Sequence, residues 1–344
     1  MQTKMRIKTA YIEITNVCNL NCMTCYNASG LTQERQEMPV AQLRQAIDVL
    51  LPLGLETVLL SGGEPTLHSA FDDVPGLVDA FPQLLFGLVT NGTVDRAALL
   101  AMAGHERVSL QVSLDGSCEE VNAKTRGTGY FDSVVANVQQ LQASAATSLA
   151  PKPILLKMVL SQDNITDAED FYRLAVSLGC IPEFAYIYRS GNSCDHWSDK
   201  ALSAQQKLGV LRLIERLNTE LGVEAVLPYS TTHCPYVKGA EDMSVTIKVN
   251  GNIQPCQHLY DGLYALGNVF NFDLLAIEKK VAAFMDLARQ RAQQAYGCAK
   301  CLLHNEPKAC GRGCLAQAVN LHGDPLGNDG ECELRKLQAL RGLM

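Results

Sequence analysis

Short apolar runs alternate with amphipathic stretches over the first half of the chain, and this alternation limits the folds that are possible. The apolar runs predict strands over residues 9–15, 57–60, 84–90, 108–114, 154–160 and 183–187. Amphipathic helices are predicted between them, over residues 40–51, 131–141 and 167–178. Repeated strand–helix units build a parallel sheet that is either open or curled into a barrel, and six strands are fewer than the eight of a closed barrel.

Polar loops that contain glycine follow three of the predicted strands. Gly62-Gly63, Asn91-Gly92 and Asp115-Gly116 each stand where an apolar run ends. Folds of this class place their sites in the loops at the carboxyl ends of the strands. These loops are therefore the first place to look for functional residues.

A change of composition near residue 234 marks a second region. Residues 191–233 form a linker with one predicted helix over residues 201–221, and Asn250-Gly251 between two apolar runs predicts a hairpin. A further helix is predicted over residues 274–291. We therefore divide the chain into residues 1–190, 191–233 and 234–344.

The 13 cysteines are clumped, with three between residues 18 and 25 and seven beyond residue 233. No apolar run reaches the length of about 18 residues that a membrane span needs, and no secretory signal precedes residue 15. We expect a cytoplasmic protein, in which clumped thiols are typical of metal ligands and not of disulfides. The net charge of −7 argues against a broad nucleic-acid surface.

Cys18, Cys22 and Cys25 lie in the loop that follows the first predicted strand. Three thiolates at this spacing suit a [4Fe-4S] cluster in which one iron has no protein ligand. An open coordination position is where metal catalysis takes place. The alternative is a zinc site that takes a fourth ligand from elsewhere in the chain.

The spacing Cys-x3-Cys-x2-Cys, followed one strand later by Gly62-Gly63-Glu64-Pro65, resembles the radical S-adenosylmethionine (SAM) superfamily. The family usually has an aromatic residue where this chain has Thr24, and Tyr26 is the aromatic candidate here. Glycines allow a close backbone approach to a ligand, and a glutamate accepts hydrogen bonds from an ammonium group. In the family this second motif holds the SAM amino group.

The resemblance implies the fold, the cofactor and further site residues. It implies a partial (β/α)6 TIM-type barrel for residues 9–190, followed by a small α+β iron–sulfur domain. SAM contacts are implied for Asn91, for Ser113 at the ribose or carboxylate end, and for Arg126 at the carboxylate. A cluster held by Cys18, Cys22 and Cys25 would cleave SAM reductively.

The cysteines beyond residue 233 resemble the SPASM domain, which carries auxiliary clusters in radical SAM enzymes that modify peptides and proteins. Their pairing alone also fits zinc. The resemblance implies an outer [4Fe-4S] cluster on Cys298, Cys301, Cys310 and Cys332. It implies an inner [4Fe-4S] cluster on Cys234, Cys256 and Cys314, with Cys194, water or substrate as its fourth ligand. Cys118 and Cys180 are expected to be buried structural thiols.

The two resemblances together predict modification of a ribosomally made peptide by crosslinking or oxidation. The alternatives are epimerisation or dehydrogenation of a sugar or aminocyclitol, sulfatase maturation, and a non-enzymatic electron carrier. Sulfatase maturases carry an aspartate after the inner-cluster cysteine, whereas Gln257 follows Cys256 here.

The reaction implies several partners. An electron donor such as flavodoxin or ferredoxin would reduce the first cluster. About ten residues precede the first predicted strand, so we expect a peptide substrate either to need a separate leader-peptide-binding protein or to bind the barrel mouth directly. No nucleic-acid or membrane partner is expected.

Overall fold

The fold is described from a computed structural model that places residues 5–30, 34–94, 96–150, 152–228, 234–259, 262–294, 301, 303 and 310–340. The strands are β1 (Ile7–Thr15), β2 (Thr57–Gly62), β3 (Leu85–Thr90), β4 (Val108–Ser113), β5 (Leu155–Leu160), β6 (Ile181–Tyr186), β7 (Met243–Ile247), β8 (Asn252–Gln254) and β9 (Gly267–Asn268). The helices are α1 (Val40–Leu50), α2 (Val74–Ala80), α3 (Ala97–Ala103), α4 (Glu119–Arg126), α5 (Phe131–Ala145), α6 (Ala168–Ser177), α7 (Trp197–Lys200), α8 (Ala204–Leu221), α9 (Leu274–Gln294), α10 (Leu315–His322) and α11 (Cys332–Ala339).

Strands β1 to β6 are parallel and neighbour one another in chain order, with helices connecting them. This is the six-stranded partial barrel that the alternation predicts. Strand β7 pairs in parallel with β1, and β8 and β9 follow it in antiparallel pairing. The C-terminal region therefore continues the barrel sheet at the β1 edge.

Alternation along β4, β5 and β6 separates the core from the barrel interior. In β5, Leu156, Met158 and Leu160 are fully buried, whereas Lys157 and Val159 on the other face are partly exposed. The helices cover the outer face. Helix α1 is amphipathic, and its buried residues recur at the helical spacing, namely Leu43, Ala46, Ile47 and Leu50.

The predicted linker has more structure than its sequence indicated. Residues Gly191–His196 form a 3-10 helix that leads into α7. Helix α8 starts at Ala204 and not at residue 201, because Ser203 accepts a hydrogen bond from the backbone N–H of Gln206 and caps the helix. Across the placed parts of the chain, none of the helices is both long and apolar enough to cross a membrane.

Candidate active site

The three N-terminal cysteines lie in the loop that leaves β1, at the carboxyl end of the barrel. The backbone N–H of Leu20 donates to Cys18 Sγ at 3.4 Å, and Asn91 Nδ2 approaches the same sulfur at 3.9 Å. Arg126 Nη1 lies 4.0 Å from Cys22 Sγ. The pKa of Cys18 is raised to about 11 and the pKa of Cys22 to about 12, mainly because both thiols are buried. The nearby Cys25 thiol raises both pKa values further. The three thiols therefore lie within electrostatic reach of one another.

The donor set of this loop fits an iron–sulfur cluster. Soft thiolates select iron–sulfur clusters or zinc among the common metal centres. Within the described residues, no group of three or more His, Cys, Asp or Glu side chains is arranged to hold a metal ion. In a four-iron cluster each thiolate binds a different iron atom, so its ligands need not converge on one ion.

The Gly62-Gly63-Glu64-Pro65 motif packs its backbone against the start of the cysteine loop. Gly63 N donates to Thr15 O and Glu64 N donates to Val17 O, both at 2.7 Å. A Cβ atom on Gly62 would lie 2.2 Å from Thr15 O, and one on Gly63 would lie 2.2 Å from Val17 O. The glycines are therefore required by this close approach between two backbone segments.

Glu64 is fully buried, and its hydrogen bonds connect the ends of β2 and β3. Its Oε1 accepts hydrogen bonds from Thr66 N at 3.1 Å, Thr66 Oγ1 at 2.6 Å and Thr90 Oγ1 at 2.7 Å. Its Oε2 accepts one from Asn91 N at 2.6 Å. Burial raises the pKa of Glu64, and these hydrogen bonds oppose that effect. Since a carboxylate offers about four acceptor positions, the Oε2 side keeps capacity for another donor.

Asn91 and Arg126, two of the predicted SAM contacts, lie beside the thiols. Asn91 Nδ2 donates to Asn19 Oδ1 at 2.8 Å inside the cysteine loop. Arg126 Nε lies 3.0 Å from Oδ2 of Asp115, whose carboxylate is fully buried. The structure thus brings Cys18, Cys22, Glu64, Asn91 and Arg126 into one cluster of contacts.

Ser113 and Tyr26 are two further predicted SAM contacts. Ser113 is the last residue of β4 and stands next to Lys157 of β5 in the strand register. Tyr26 follows Cys25, and its ring meets the ring of His258 edge-on at 5.6 Å. Burial raises the pKa of Tyr26, and its hydroxyl forms a hydrogen bond with Ser61.

Two ion pairs occupy the barrel interior, and the sequence analysis missed both. Lys157 Nζ lies 2.9 Å from Glu183 Oε1, and Lys248 Nζ lies 2.7 Å from Glu13 Oε1. Burial lowers the pKa of His258 to about 4, and both lysines lower it further. Three of these charged residues interrupt apolar strands in the sequence, which is the signal that would have revealed them.

The C-terminal thiols fall into two groups. Cys234, Cys256 and Cys314 are all within electrostatic reach of one another, and burial raises their pKa values to about 12, 11 and 12. Cys310 and Cys332 form the other group. Cys301 is partly buried, and Cys298 lies outside the described residues.

A buried ion pair connects the two groups. Arg335 binds Asp329 with two hydrogen bonds of 2.9 and 2.6 Å, and both side chains are fully buried. Asp329 Oδ2 also accepts from Cys314 N at 2.8 Å, and Arg335 Nη2 lies 3.6 Å from Cys332 Sγ. One arginine–carboxylate pair therefore fixes the backbone at Cys314 and the thiol at Cys332.

The remaining cysteines differ from one another. Cys180 is buried as expected. The expectation of a buried thiol at Cys118 is wrong, because this residue is exposed at the N-cap position of α4. Cys194, the candidate fourth ligand of the inner cluster, is exposed in the 3-10 helix Gly191–His196.

Comparison with known proteins agrees with this geometry. Residues 12–174 match the family model of the Radical SAM superfamily. Mycofactocin maturase MftC from Mycolicibacterium smegmatis is 29% identical over 335 residues, which are 93% of this chain and 81% of that protein. MftC from Mycobacterium tuberculosis is 28% identical over 332 residues, with the same coverage.

Two solved structures share the fold. SuiB from Streptococcus suis bound to S-adenosylmethionine superimposes with a TM-score of 0.74 at 16% identity, over 94% of this chain and 76% of that one. The structure of anSMEcpe with bound AdoMet gives 0.73 at 15% identity, over 98% of both chains. The likeness extends over the barrel and the C-terminal region, which confirms the predicted fold class.

Proposed function

Because this chain belongs to the radical SAM superfamily, we propose that it cleaves SAM at a cluster held by Cys18, Cys22 and Cys25 and modifies a ribosomally made peptide. One observation carries the proposal. The thiols of Cys18 and Cys22 share a single cluster of contacts with Asn91 and Arg126, which come from the ends of β3 and α4. The class of reaction is an oxidation or a crosslink, and the enzyme is an oxidoreductase.

Different residues of the chain are proposed to bind different parts of the cofactors. Cys18, Cys22 and Cys25 would hold the cluster through their thiolates and leave one position open for SAM. Glu64 Oε2 and the backbone beside it receive the SAM amino group, and Arg126 with Ser113 receives the carboxylate and ribose. Tyr26 is the aromatic candidate for the adenine. When bound, the cluster would supply the electron for reductive cleavage of SAM, which is the chemistry that allows hydrogen abstraction from a substrate.

The barrel interior holds the substrate. Lys157, Glu183, Lys248 and Glu13 supply paired charges there, and these pairs orient polar groups of a peptide. The peptide class is supported by the relatives. MftC is by name a mycofactocin maturase. SuiB has a structure bound to precursor peptide SuiA, which superimposes on this chain with a TM-score of 0.76 at 15% identity.

The C-terminal region, residues 234–344, is proposed to be a SPASM domain with two further [4Fe-4S] clusters. Cys234, Cys256 and Cys314 hold the inner one, a grouping supported by their mutual interaction. Cys298, Cys301, Cys310 and Cys332 hold the outer one. When bound, these clusters would supply one-electron transfer, either from the substrate or as a relay, and a flavodoxin or ferredoxin would be the electron donor. The peptide would either be delivered by a separate leader-binding protein or bind the barrel mouth directly.

The test is an anaerobic assay of the reconstituted chain with SAM and a chemical reductant. The expected product is 5′-deoxyadenosine, which is absent from a Cys18→Ala/Cys22→Ala/Cys25→Ala variant. Short peptides encoded next to the gene are then added, and their masses are followed. Loss of a pair of hydrogen atoms, dependent on SAM, supports the peptide proposal. Steady 5′-deoxyadenosine formation that responds to sugars and to no such peptide would overturn it.

A further inference from the structure

Six residues that follow β6, Tyr188–Ser193, contact the loop of the first three cysteines at one end and His258 and α10 at the other. We call them the bridging segment. The sequence analysis placed residues 191–193 in the linker and residues 188–190 in the barrel domain. In the structure the bridging segment lies between the loop of Cys18, Cys22 and Cys25 and the elements that carry Cys256 and Cys314.

One end of the bridging segment binds the backbone of the cysteine loop. Asn192 N donates to Cys25 O at 2.9 Å, and Asn192 Nδ2 donates to Cys22 O at 2.9 Å. Ser190 Oγ donates to Tyr26 O at 2.9 Å. Three carbonyl groups of the loop are therefore held by two residues of this segment.

The other end binds the C-terminal region. The ring of Tyr188 stacks on His258 at 4.0 Å and 9°, and His258 N donates to Cys256 Sγ at 3.5 Å. Arg189 Nη1 donates to the carbonyl groups of Asn320 at 2.6 Å and Leu321 at 3.1 Å. These carbonyls belong to α10, whose N-cap is Cys314.

The segment between these ends is tightly packed. Ser190 and Ser193 form a reciprocal capping box, and both residues are buried. Gly191 has a φ of +60°, and a Cβ there would lie 2.4 Å from Cys25 O. A displacement at one end of a short, closely packed turn is transmitted to its other end, because packed interiors do not deform continuously.

We propose that the bridging segment is a positioning element that couples the loop of Cys18, Cys22 and Cys25 to the elements that carry Cys256 and Cys314. Order at Cys256 and Cys314 holds Tyr188 and Arg189, and these hold Ser190 and Asn192 against the loop of Cys22 and Cys25. Filling the C-terminal sites therefore favours the loop conformation that binds the first cluster. This consequence rests on the proposed function, whereas the coupling itself is measurable on the chain without clusters.

The first test is hydrogen–deuterium exchange of the cluster-free chain with Arg189→Ala. This change removes the two hydrogen bonds to α10, and we expect exchange of the peptide covering residues 20–28 to rise about threefold, together with that of residues 315–322. Arg189→Lys, which keeps one donor, should recover most of the protection. Arg289→Ala is the control, since this arginine is an exposed residue of α9. Faster exchange confined to residues 315–322 would overturn the coupling.

The second test changes a residue in the middle of the bridging segment. Gly191→Ala and Gly222→Ala impose the same backbone strain, because both glycines have left-handed φ values of +60° and +65°. No atom lies within 4 Å of a Cβ at Gly222. We expect only Gly191→Ala to increase exchange at residues 256–259 and to change the SAM-induced shift in the electron paramagnetic resonance of the first cluster. Identical behaviour of the two variants would contradict the proposal.

The two proposals fail in different ways. A wild-type chain that forms no 5′-deoxyadenosine would overturn the proposed function and leave the exchange results standing. A chain that forms it, while Arg189→Ala leaves residues 20–28 unchanged, would overturn the coupling alone.

Discussion

The Nε atom of Arg126 lies 3.0 Å from Oδ2 of Asp115, and the Asp115 carboxylate is fully buried. The same carboxylate accepts hydrogen bonds from Val159 N at 2.8 Å and Thr125 Oγ1 at 3.0 Å. Arg126 also approaches the thiol of Cys22. This one ion pair therefore joins the ends of β4, β5 and α4 to the cysteine loop.

Asp115→Asn should destabilise the cluster-free chain by about 3–5 kcal/mol, because it leaves the Arg126 charge buried without its partner. It should also speed alkylation of Cys22 by iodoacetamide, since Asp115 raises the pKa of that thiol and Arg126 lowers it. Urea unfolding and mass spectrometry of the modified cysteine measure the two effects. Asp72→Asn, at a surface pair with Arg96, is the control and should cost less than about 1 kcal/mol. Unchanged stability of Asp115→Asn would refute this role.

The Lys248–Glu13 pair in the barrel interior makes a second prediction. Burial raises the pKa of Glu13, and Lys248 opposes this effect. Lys248→Met should therefore destabilise the chain by about 3 kcal/mol, because it leaves a buried carboxylate uncompensated. The double variant Glu13→Gln/Lys248→Met should recover most of that loss. A double variant no more stable than Lys248→Met would show that the pair is not the cause, and chemical unfolding of the wild type and the two variants measures this.

Much of the barrel could be predicted from the sequence because its strands are fully buried on one face. The strands at residues 84–90 and 154–160 are within one residue of the observed bounds, because each coincides with a short apolar run. The continuation of the sheet into β7 could not be predicted. Pairing of β7 with β1 joins residues more than 200 positions apart, and no local pattern encodes such a contact.

The thiols and glycines of the candidate site could be predicted from the sequence, but the contacts that connect them to other elements could not. Cysteine spacing carries chemical meaning by itself, so Cys18, Cys22 and Cys25 stand out. The two ion pairs of the barrel interior and the bridging segment depend on which loops meet in space. Gly191 looks like an ordinary linker glycine until the structure brings it against Cys25 O.

Glu119 gives a pH-dependent prediction for the turn that follows Arg126. Backbone hydrogen bonds from Gly129 and Phe131 lower the pKa of Glu119. A carboxylate with a lowered pKa stabilises the folded state above its unfolded pKa of 4.5, and this contribution is lost as the pH falls through the folded value. The melting temperature of the wild type should therefore drop more than that of Glu119→Gln between pH 5.5 and pH 4. The upper pH lies about one unit above the unfolded pKa of Glu119, and lowering the pH from there brings the Glu119 carboxylate into titration. Parallel curves for the two chains would contradict this assignment.

Iron content tests the whole assignment of the thiols. Three four-iron clusters predict about 12 iron atoms per anaerobically reconstituted chain, and about 8 in Cys18→Ala/Cys22→Ala/Cys25→Ala. Cys118→Ala/Cys180→Ala is the matched control, because it removes thiols that are assigned to no cluster, and it should retain about 12. A wild-type content of about 4 iron atoms with zinc in the remainder would leave the first site intact. It would make the C-terminal region a structural zinc domain, and electron relay through Cys234, Cys256 and Cys314 would then be excluded, because zinc has no redox chemistry.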